Sequence, residues 1–499
     1  MHKINLFGIA AISLVICVLT CEAVAKEKIR IKNGHFFEYN GKPIILIGDS
    51  ATQSVMQNLN VNYKAWLDAL AANQVNAALI WAWMAVPQTV DGLLVDRRYG
   101  YVVPDITPWV RSGKGSANDG KSLWDLTKFD RRYWDRIQNL VDYAESKGIV
   151  IVISVFDGWP KSFWSHPFND QNGGPIPSEI VHSKPKVFTK RWLKSIVTRS
   201  RNMDGRQQFW TLSEYQAEML GRSYDQSWPW ELKNQYFQEK FAEKLLQVTC
   251  NNSNVIYELV NEGSSNKLYD DHWIRFFNKR CDSLIIINDD YTPFDARLSK
   301  TVDAISWHSH SMDTEEINYR WLKGFRNQPA KPVINSETVP GYYSDSPSVD
   351  DFRKIIWSTA MAGGSIFVQD DTVFAFDPES PQKPKGEILR KYLGVANKFF
   401  NASGIRIDQM IPHNRMINKG NAFALISEGK EYIIYVAEND RIDVDLSDMK
   451  GLLEAEWYDP SEGIYSERFI VHGGGSVSFD PPFSEDAALY MKVKNQEVD

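Results

Sequence analysis

The chain has 499 residues, 43% of them hydrophobic and 24% charged, with a formal net charge of −7. This is globular composition, and the length fits one large domain followed by a smaller one. The acidic balance excludes a nucleic-acid footprint and a basic membrane-binding face.

At the N-terminus, His2 and Lys3 precede an apolar stretch from Leu6 to Leu19, and Ala23-Val24-Ala25 fits the small-x-small cleavage rule. Residues 1–25 therefore read as a secretory signal peptide, and the mature chain as secreted or periplasmic. The apolar run is too short for a membrane span. Lipidation at Cys21 is the alternative, although Thr20 is a poor residue before such a cysteine. Cys250 and Cys281 remain after cleavage, either paired or as two buried thiols.

From Ile29 to about Ser403, short apolar runs alternate with stretches of helical period. Ile29–Phe37, returning through Tyr39-Asn40-Gly41-Lys42, predicts a hairpin that plugs one end of the domain. Eight candidate strands follow: Ile44–Gly48, Ala77–Trp83, Ile149–Phe156, Val255–Val260, Leu284–Ile287, Ala304–Trp307, Val333–Asn335 and Ser365–Val368. Their near-continuous apolar character is what parallel strands buried on both faces require. Between them, Tyr63, Trp66, Leu67 and Leu70 share a helical face, as do Trp134, Ile137, Leu140, Val141 and Ala144. Phe237, Phe241, Leu245 and Val248 make a third such stripe, and all three read as core facing a sheet. Eight β-then-α units predict an α/β fold, a closed (β/α)8 TIM barrel over residues 26–403. Two long connections, 84–128 and 157–228, leave the C-terminal ends of strands two and three, the face where barrel enzymes carry their chemistry. They are expected to wall in a pocket.

After Ser403 the pattern changes to short alternating strands and tight turns, a small antiparallel β-sandwich over residues 404–499. No acid–base constellation is evident there, so this domain is expected to contribute packing rather than catalysis.

Two strands end in carboxylates. Val255-Ile256-Tyr257-Glu258-Leu259-Val260-Asn261-Glu262 delivers an amide and a carboxyl to the barrel mouth, and Val333-Ile334-Asn335-Ser336-Glu337 delivers a second carboxyl. These are strands four and seven, opposite one another. Glycosidic bond cleavage needs two such groups, one to donate a proton and one to attack or to activate water. Each carboxylate alone also reads as a strand-end ion pair or loop cap. Their joint placement favours chemistry.

Here the sequence resembles glycoside hydrolase clan A, including family 5. The opening Phe36-Phe37-Glu38-Tyr39-Asn40-Gly41-Lys42-Pro43-Ile44-Ile45-Leu46-Ile47-Gly48-Asp49 is similar to apiosidase-like barrels, as is His166-Pro167-Phe168-Asn169-Asp170-Gln171-Asn172-Gly173-Gly174-Pro175. Trp457-Tyr458-Asp459-Pro460 and Pro481-Pro482-Phe483 resemble a collagen-binding-type β-sandwich that follows such barrels. The resemblance implies retention, with Glu262 as acid/base, Glu337 as nucleophile and Asn261 on the sugar 2-hydroxyl. Two departures stand out. Ser50-Ala51-Thr52 replaces the aromatic residue that often follows the first-strand Gly-Asp of apiosidase-like proteins, and Gln369-Asp370-Asp371 ends strand eight where many clan A enzymes place a Trp.

Further candidates for contact with a carbohydrate substrate are His308 and His310 at strand six, Trp81, Trp83 and Trp159 as stacking surfaces, Asp49, Asp157 and His166 on pocket loops, and Gln369 and Asp370 at strand eight. Glu258, inside strand four, reads as a structural ion-pair partner. No cofactor and no metal is expected, since His308-Ser309-His310 lacks the further ligands of a metal barrel. The competing reading is a non-catalytic carbohydrate-binding protein that keeps the barrel. A collagenase is disfavoured by the absence of His-Glu-x-x-His.

Overall fold

The computed structural model describes residues 27–51, 53–59, 61–82, 88–89, 92–93, 105–157, 166–175, 229–261, 267–288, 301–309, 311–326, 329–338, 348–368, 386–402 and 404–494. The chain opens with β1 (Arg30–Lys32), β2 (Phe36–Tyr39) and β3 (Lys42–Ile44), a three-stranded antiparallel sheet. Its turns hold Asn33-Gly34 and Asn40-Gly41, each with positive φ at both residues; the second is a two-residue hairpin loop whose twist this backbone matches, and the first carries His35 as a third residue. Phe37, Tyr39 and Ile44 pack into the N-terminal end of the barrel, and Ile29 N–H donates to the Ser253 carbonyl.

The barrel elements follow in order: β4 (Ile47–Ala51), α1 (Gln53–Gln57), α2 (Tyr63–Ala72) and β5 (Ala77–Trp81). Next come the short pair β6 (Gln88–Thr89) and β7 (Gly92–Leu93), the hairpin β8 (Trp109–Ser116) and β9 (Ser122–Phe129), α3 (Arg131–Ser146) and β10 (Val150–Asp157). Then follow α4 (Pro229–Thr249), β11 (Val255–Asn261), α5 (Lys267–Asn278), β12 (Ile285–Asn288), β13 (Ala304–Ser309) and α6 (Thr314–Phe325). β14 (Val333–Thr338), α7 (Val349–Met361), β15 (Ser365–Val368) and α8 (Glu387–Phe400) complete the series. The eight parallel strands β4, β5 and β10–β15 close into a barrel. One boundary differs from expectation. Ile44 pairs with Phe37 in the N-terminal sheet, so the first barrel strand begins three residues later than its apolar run suggested.

The helices start where side chains satisfy free backbone N–H groups. Asp130 caps α3, Asp313 caps α6, and Ser348 with Asp351 forms a reciprocal box at α7. The three sequence stripes face the sheet, with Trp66, Leu67, Leu70, Trp134, Ile137, Leu140, Phe241 and Leu245 all buried. Each such side chain contributes on the order of 1.5–3 kcal/mol from burial.

The sandwich has a six-stranded and a three-stranded sheet. The first is built from β16 (Ile411–Pro412), β18 (Ala422–Ser427), β19 (Glu431–Val436), β21 (Leu452–Tyr458), β22 (Phe469–His472) and β24 (Ala487–Val493). The second holds β17 (Ile417–Lys419), β20 (Ile442–Asp445) and β23 (Ser476–Phe479). One face of the larger sheet encloses the sandwich core and the other continues the barrel core. Trp357 of α7 stacks on Tyr435 at 5.3 Å, Phe399 packs on Tyr458 at 4.8 Å, and Arg353 is buried against Asp486. Cys250 and Cys281 are joined by a disulfide with a Cα separation of 5.8 Å, between the ends of α4 and α5 at the N-terminal end of the barrel.

Candidate active site

The inward side chains change character along the barrel axis. Leu46, Ala77, Val150, Ile256, Ile286, Ala304, Ile334 and Phe367 fill its N-terminal half with apolar atoms. Counting on by twos along each strand brings Ser50, Ser154, Glu258, Asn288, Ser306 and Ser336 to the same inner face, and all are buried. Ser306 Oγ donates to Glu258 Oε1 at 2.6 Å, tying the sixth strand to the fourth. Trp81 also closes on this interior, 1% exposed. Sequence reasoning passed over Ser154, Asn288 and Ser306. Their signal was available as single polar residues at every second position of an apolar run.

Glu337 reaches this interior by an irregularity. Val333 packs outward on the helices and Ile334 inward, so strict alternation would turn Glu337 away from the barrel lumen. Between β13 and β14 the register shifts: Trp307 lies opposite Asn335, but His308 lies opposite Glu337, which leaves Ser336 as an extra residue. Such a bulge re-aims the side chains after it. Here it sets the Glu337 carboxylate beside the inward His308, with Oε2 3.5 Å from Nδ1. Both are buried, at 8% and 4% exposure. An imidazole at this distance restricts the rotamers open to the carboxylate.

On the fourth strand, Asn261 is buried at the last position of β11, opposite Asp157 of the third strand. Glu262, the next residue, lies outside the described residues, as do Trp83, Trp159, His310, Gln369 and Asp370.

Two other candidates have different surroundings from those expected. Asp49 is not on a pocket loop: it lies within the first barrel strand, wholly buried, and accepts from Trp66 Nε1 of α2 at 3.2 Å. The inward position beside it is Gly48, where a Cβ would come within 2.4 Å of the Ala77 carbonyl oxygen, so the polar side chain faces the helical layer. His166 organises its own loop. Nδ1 accepts from Phe168 N–H at 3.0 Å, the His166 carbonyl accepts from Asn172 Nδ2 at 2.8 Å, and the ring meets Phe168 edge-on at 5.0 Å. Burial pushes its pKa down to about 3, leaving a neutral imidazole. This loop is pinned to the β8–β9 hairpin, because Asn172 Oδ1 accepts from Asn118 N–H at 2.9 Å. The base of that hairpin packs through Trp109 on Phe168 and on Phe241 of α4. The two long connections thus brace each other at the C-terminal side of the barrel.

Among the described residues no group of three or more His, Cys, Asp or Glu is placed to hold a metal ion. No described helix is long and apolar enough to cross a membrane.

Two family models match parts of the chain. Residues 97–157 match the "Domain of unknown function (DUF6298)", a span that holds the β8–β9 hairpin, α3 and β10. Residues 408–490, most of the sandwich, match the "Putative collagen-binding domain of a collagenase". No curated protein matches in sequence. Among solved structures, one described as a glycoside hydrolase is similar with a TM-score of 0.59 and 13% identity, covering 94% of this chain and 98% of that one. A glycoside hydrolase of family 5 from Bacteroides vulgatus also has a TM-score of 0.59, with 14% identity and 93% of each chain covered. At these identities the likeness establishes a shared architecture, a TIM-like barrel followed by antiparallel sheets, over nearly the whole chain.

Proposed function

We propose that the protein is a retaining glycoside hydrolase acting on a poly- or oligosaccharide, with Glu337 as nucleophile and Glu262 as general acid/base. The observation that carries the reading is the bulge at Ser336. A bulged strand that turns a carboxylate into a polar barrel mouth, against His308, is an arrangement made for a site rather than for packing. In the sequence, Glu262 follows Asn261, the last residue of β11, and is the second carboxyl of this reading. Solved neighbours of the same architecture are described as glycoside hydrolases, which supports glycosidic bond cleavage as the reaction class.

In this mechanism Glu337 attacks the anomeric carbon as the glycosidic C–O bond breaks, and Glu262 gives its proton to the departing oxygen. Water, losing a proton to Glu262, then displaces Glu337 and restores both carboxyls. Asn261 holds the sugar 2-hydroxyl, and His308 orients the nucleophile. The charge development needs no cofactor. The signal-like pattern of residues 1–25 supports an exported enzyme acting on substrates of the periplasm or the medium.

A panel of aryl glycosides with the anomeric configuration of the first-formed sugar followed by NMR tests the reading. Hydrolysis with retention is expected. Glu337→Gln should abolish it, and Glu262→Ala should lose ~10²–10⁴-fold with partial rescue by azide. Saccharide binding without hydrolysis across the panel would instead favour a non-catalytic carbohydrate-binding barrel. Inversion would reject the nucleophilic role of Glu337.

A further inference from the structure

A cleft of about 210 Å³ opens where α6 of the barrel meets the sandwich, lined from one side by Glu315, Tyr319 and Leu322 and from the other by Asn414, Asn421 and Phe423. Its two walls are fixed to one another. Asn414 Nδ2 donates to Asn318 Oδ1 at 2.7 Å, while Asn318 Nδ2 donates to the Ser358 carbonyl and Asn414 Oδ1 accepts from Ala424 N–H. The cleft is therefore formed before any ligand arrives. Gly420 turns the chain at its edge with φ +98°, where a Cβ would come within 2.7 Å of Ile442 Cγ2.

Tyr319 is the unusual member. It is 59% exposed although it stands on a helix whose neighbours Ile317, Asn318, Trp321 and Leu322 are buried. Lys323 Nζ lies 4.3 Å from its ring centroid, which steadies the ring with an ammonium on it. An exposed aromatic plane next to a carboxylate and amides, at a junction of two domains, matches one ligand chemistry well: a ring with C–H faces and hydroxyl edges. We infer that this cleft is a second saccharide-binding site, separate from the barrel mouth. Tyr319 is the platform, and Glu315 and Asn421 are the hydrogen-bonding groups at its rim.

The location fits a role in holding polymer. Helix α6 starts at Thr314, five residues after the end of the sixth barrel strand, so its first turn stands at the rim of the mouth. Tyr319 is five residues further along, roughly 8 Å down the outer wall at 1.5 Å per residue. A polysaccharide whose reacting unit sits in the barrel can pass over the strand-six rim and lay a later unit on Tyr319. A short substrate cannot reach both places. This inference rests on the glycosidase reading above.

The test uses the full-length protein in native gels cast with galactomannan, xyloglucan, arabinoxylan, pectic galactan or gelatin, alongside hydrolysis of an aryl glycoside. Wild type should be retarded by a polysaccharide that it hydrolyses. Tyr319→Ala should weaken that retardation about tenfold and Asn421→Ala by a smaller factor, with kcat/KM on the aryl glycoside unchanged. Tyr319→Phe, which keeps the platform, should retain most of it. Retardation equal in wild type and Tyr319→Ala overturns the second site and leaves the glycosidase reading intact. Retardation by gelatin alone overturns it in favour of a protein ligand. Absence of both hydrolysis and retardation defeats both.

Discussion

Arg353 and Asp486 join the two domains through a contact whose removal has a calculable cost. Arg353, on α7 of the barrel, is 1% exposed, and Asp486 just before β24 is 2% exposed. Nε and one terminal nitrogen of the guanidinium donate to Asp486 Oδ1 at 2.9 and 2.7 Å, and Tyr435 donates its hydroxyl to Oδ2 at 2.7 Å. Arg353 also pairs with Asp350 on its own helix. The Tyr435 pKa is raised well above its ordinary value, first by burial and then by the Asp486 charge, so its hydroxyl stays a donor at any working pH. Replacing Asp486 by Ala removes both acceptors and leaves a guanidinium and a phenol buried without them. Breaking a buried pair from one side costs up to about 3–5 kcal/mol, and the half-exposed Asp350 that stays beside Arg353 offsets part of that here. A cost of this order is a large part of the 5–15 kcal/mol typical of a whole domain.

Urea unfolding followed by tryptophan fluorescence is a direct assay, since Trp357 stacks on Tyr435 beside the pair. Asp486→Ala should lower the midpoint strongly with the slope unchanged, in a single transition. The triple replacement Arg353→Met, Asp486→Leu, Tyr435→Phe should recover much of the loss, because an apolar set of similar volume leaves no stranded charge. A loss below about 1 kcal/mol for Asp486→Ala would refute the claim that the pair is desolvated. Two separate transitions in the wild type would refute the shared core.

Three other outcomes follow from the same structure. Truncation after residue 403 should give insoluble or molten material rather than an active barrel, because it strips Tyr435 and Tyr458 from Trp357 and Phe399; a soluble, cooperative 26–403 fragment would contradict this. Reduction of the Cys250–Cys281 disulfide, which spans 31 residues, should lower the melting temperature by about 4 °C, from about 3–4 kcal/mol of chain entropy, with kcat unchanged; an altered kcat would mean that the barrel floor communicates with the mouth. His166, with a folded pKa of about 3 against 6.5 unfolded, contributes stability that is complete above about pH 6.5 and fades as pH falls toward 3. NMR of its ring protons should show a neutral imidazole down to about pH 4, and a midpoint near 6.5 would show that the 166–175 loop is not packed as described.

What the sequence made legible follows from which forces act locally. Barrel strands announce themselves because burial on both faces demands unbroken apolar runs, so Ile151, Val255, Ile285 and Val333 mark their strands regardless of the rest of the chain. The Asn40-Gly41 turn is equally local, since positive φ is a property of two residues, whereas Asn33-Gly34 breaks the expected Ile29–Phe37 strand into β1 and β2 and makes the hairpin a three-stranded sheet. Direction within a strand is different. Counting by twos from Ile256 reaches Glu258 on the inner face but fails for Glu337, because the bulge at Ser336 is a feature of pairing between two strands and leaves no mark in either one alone. Asp49 misleads for a related reason. Its polarity suggests a pocket, yet the decisive neighbour is Gly48, whose missing side chain makes room for Ala77 and Phe367 and leaves Asp49 to face Trp66. The sequence shows a change of period near Ser403 but no sign of a core shared across it. Trp357, Phe399, Tyr435 and Tyr458 lie far apart in the sequence, and only the folded chain brings the four together.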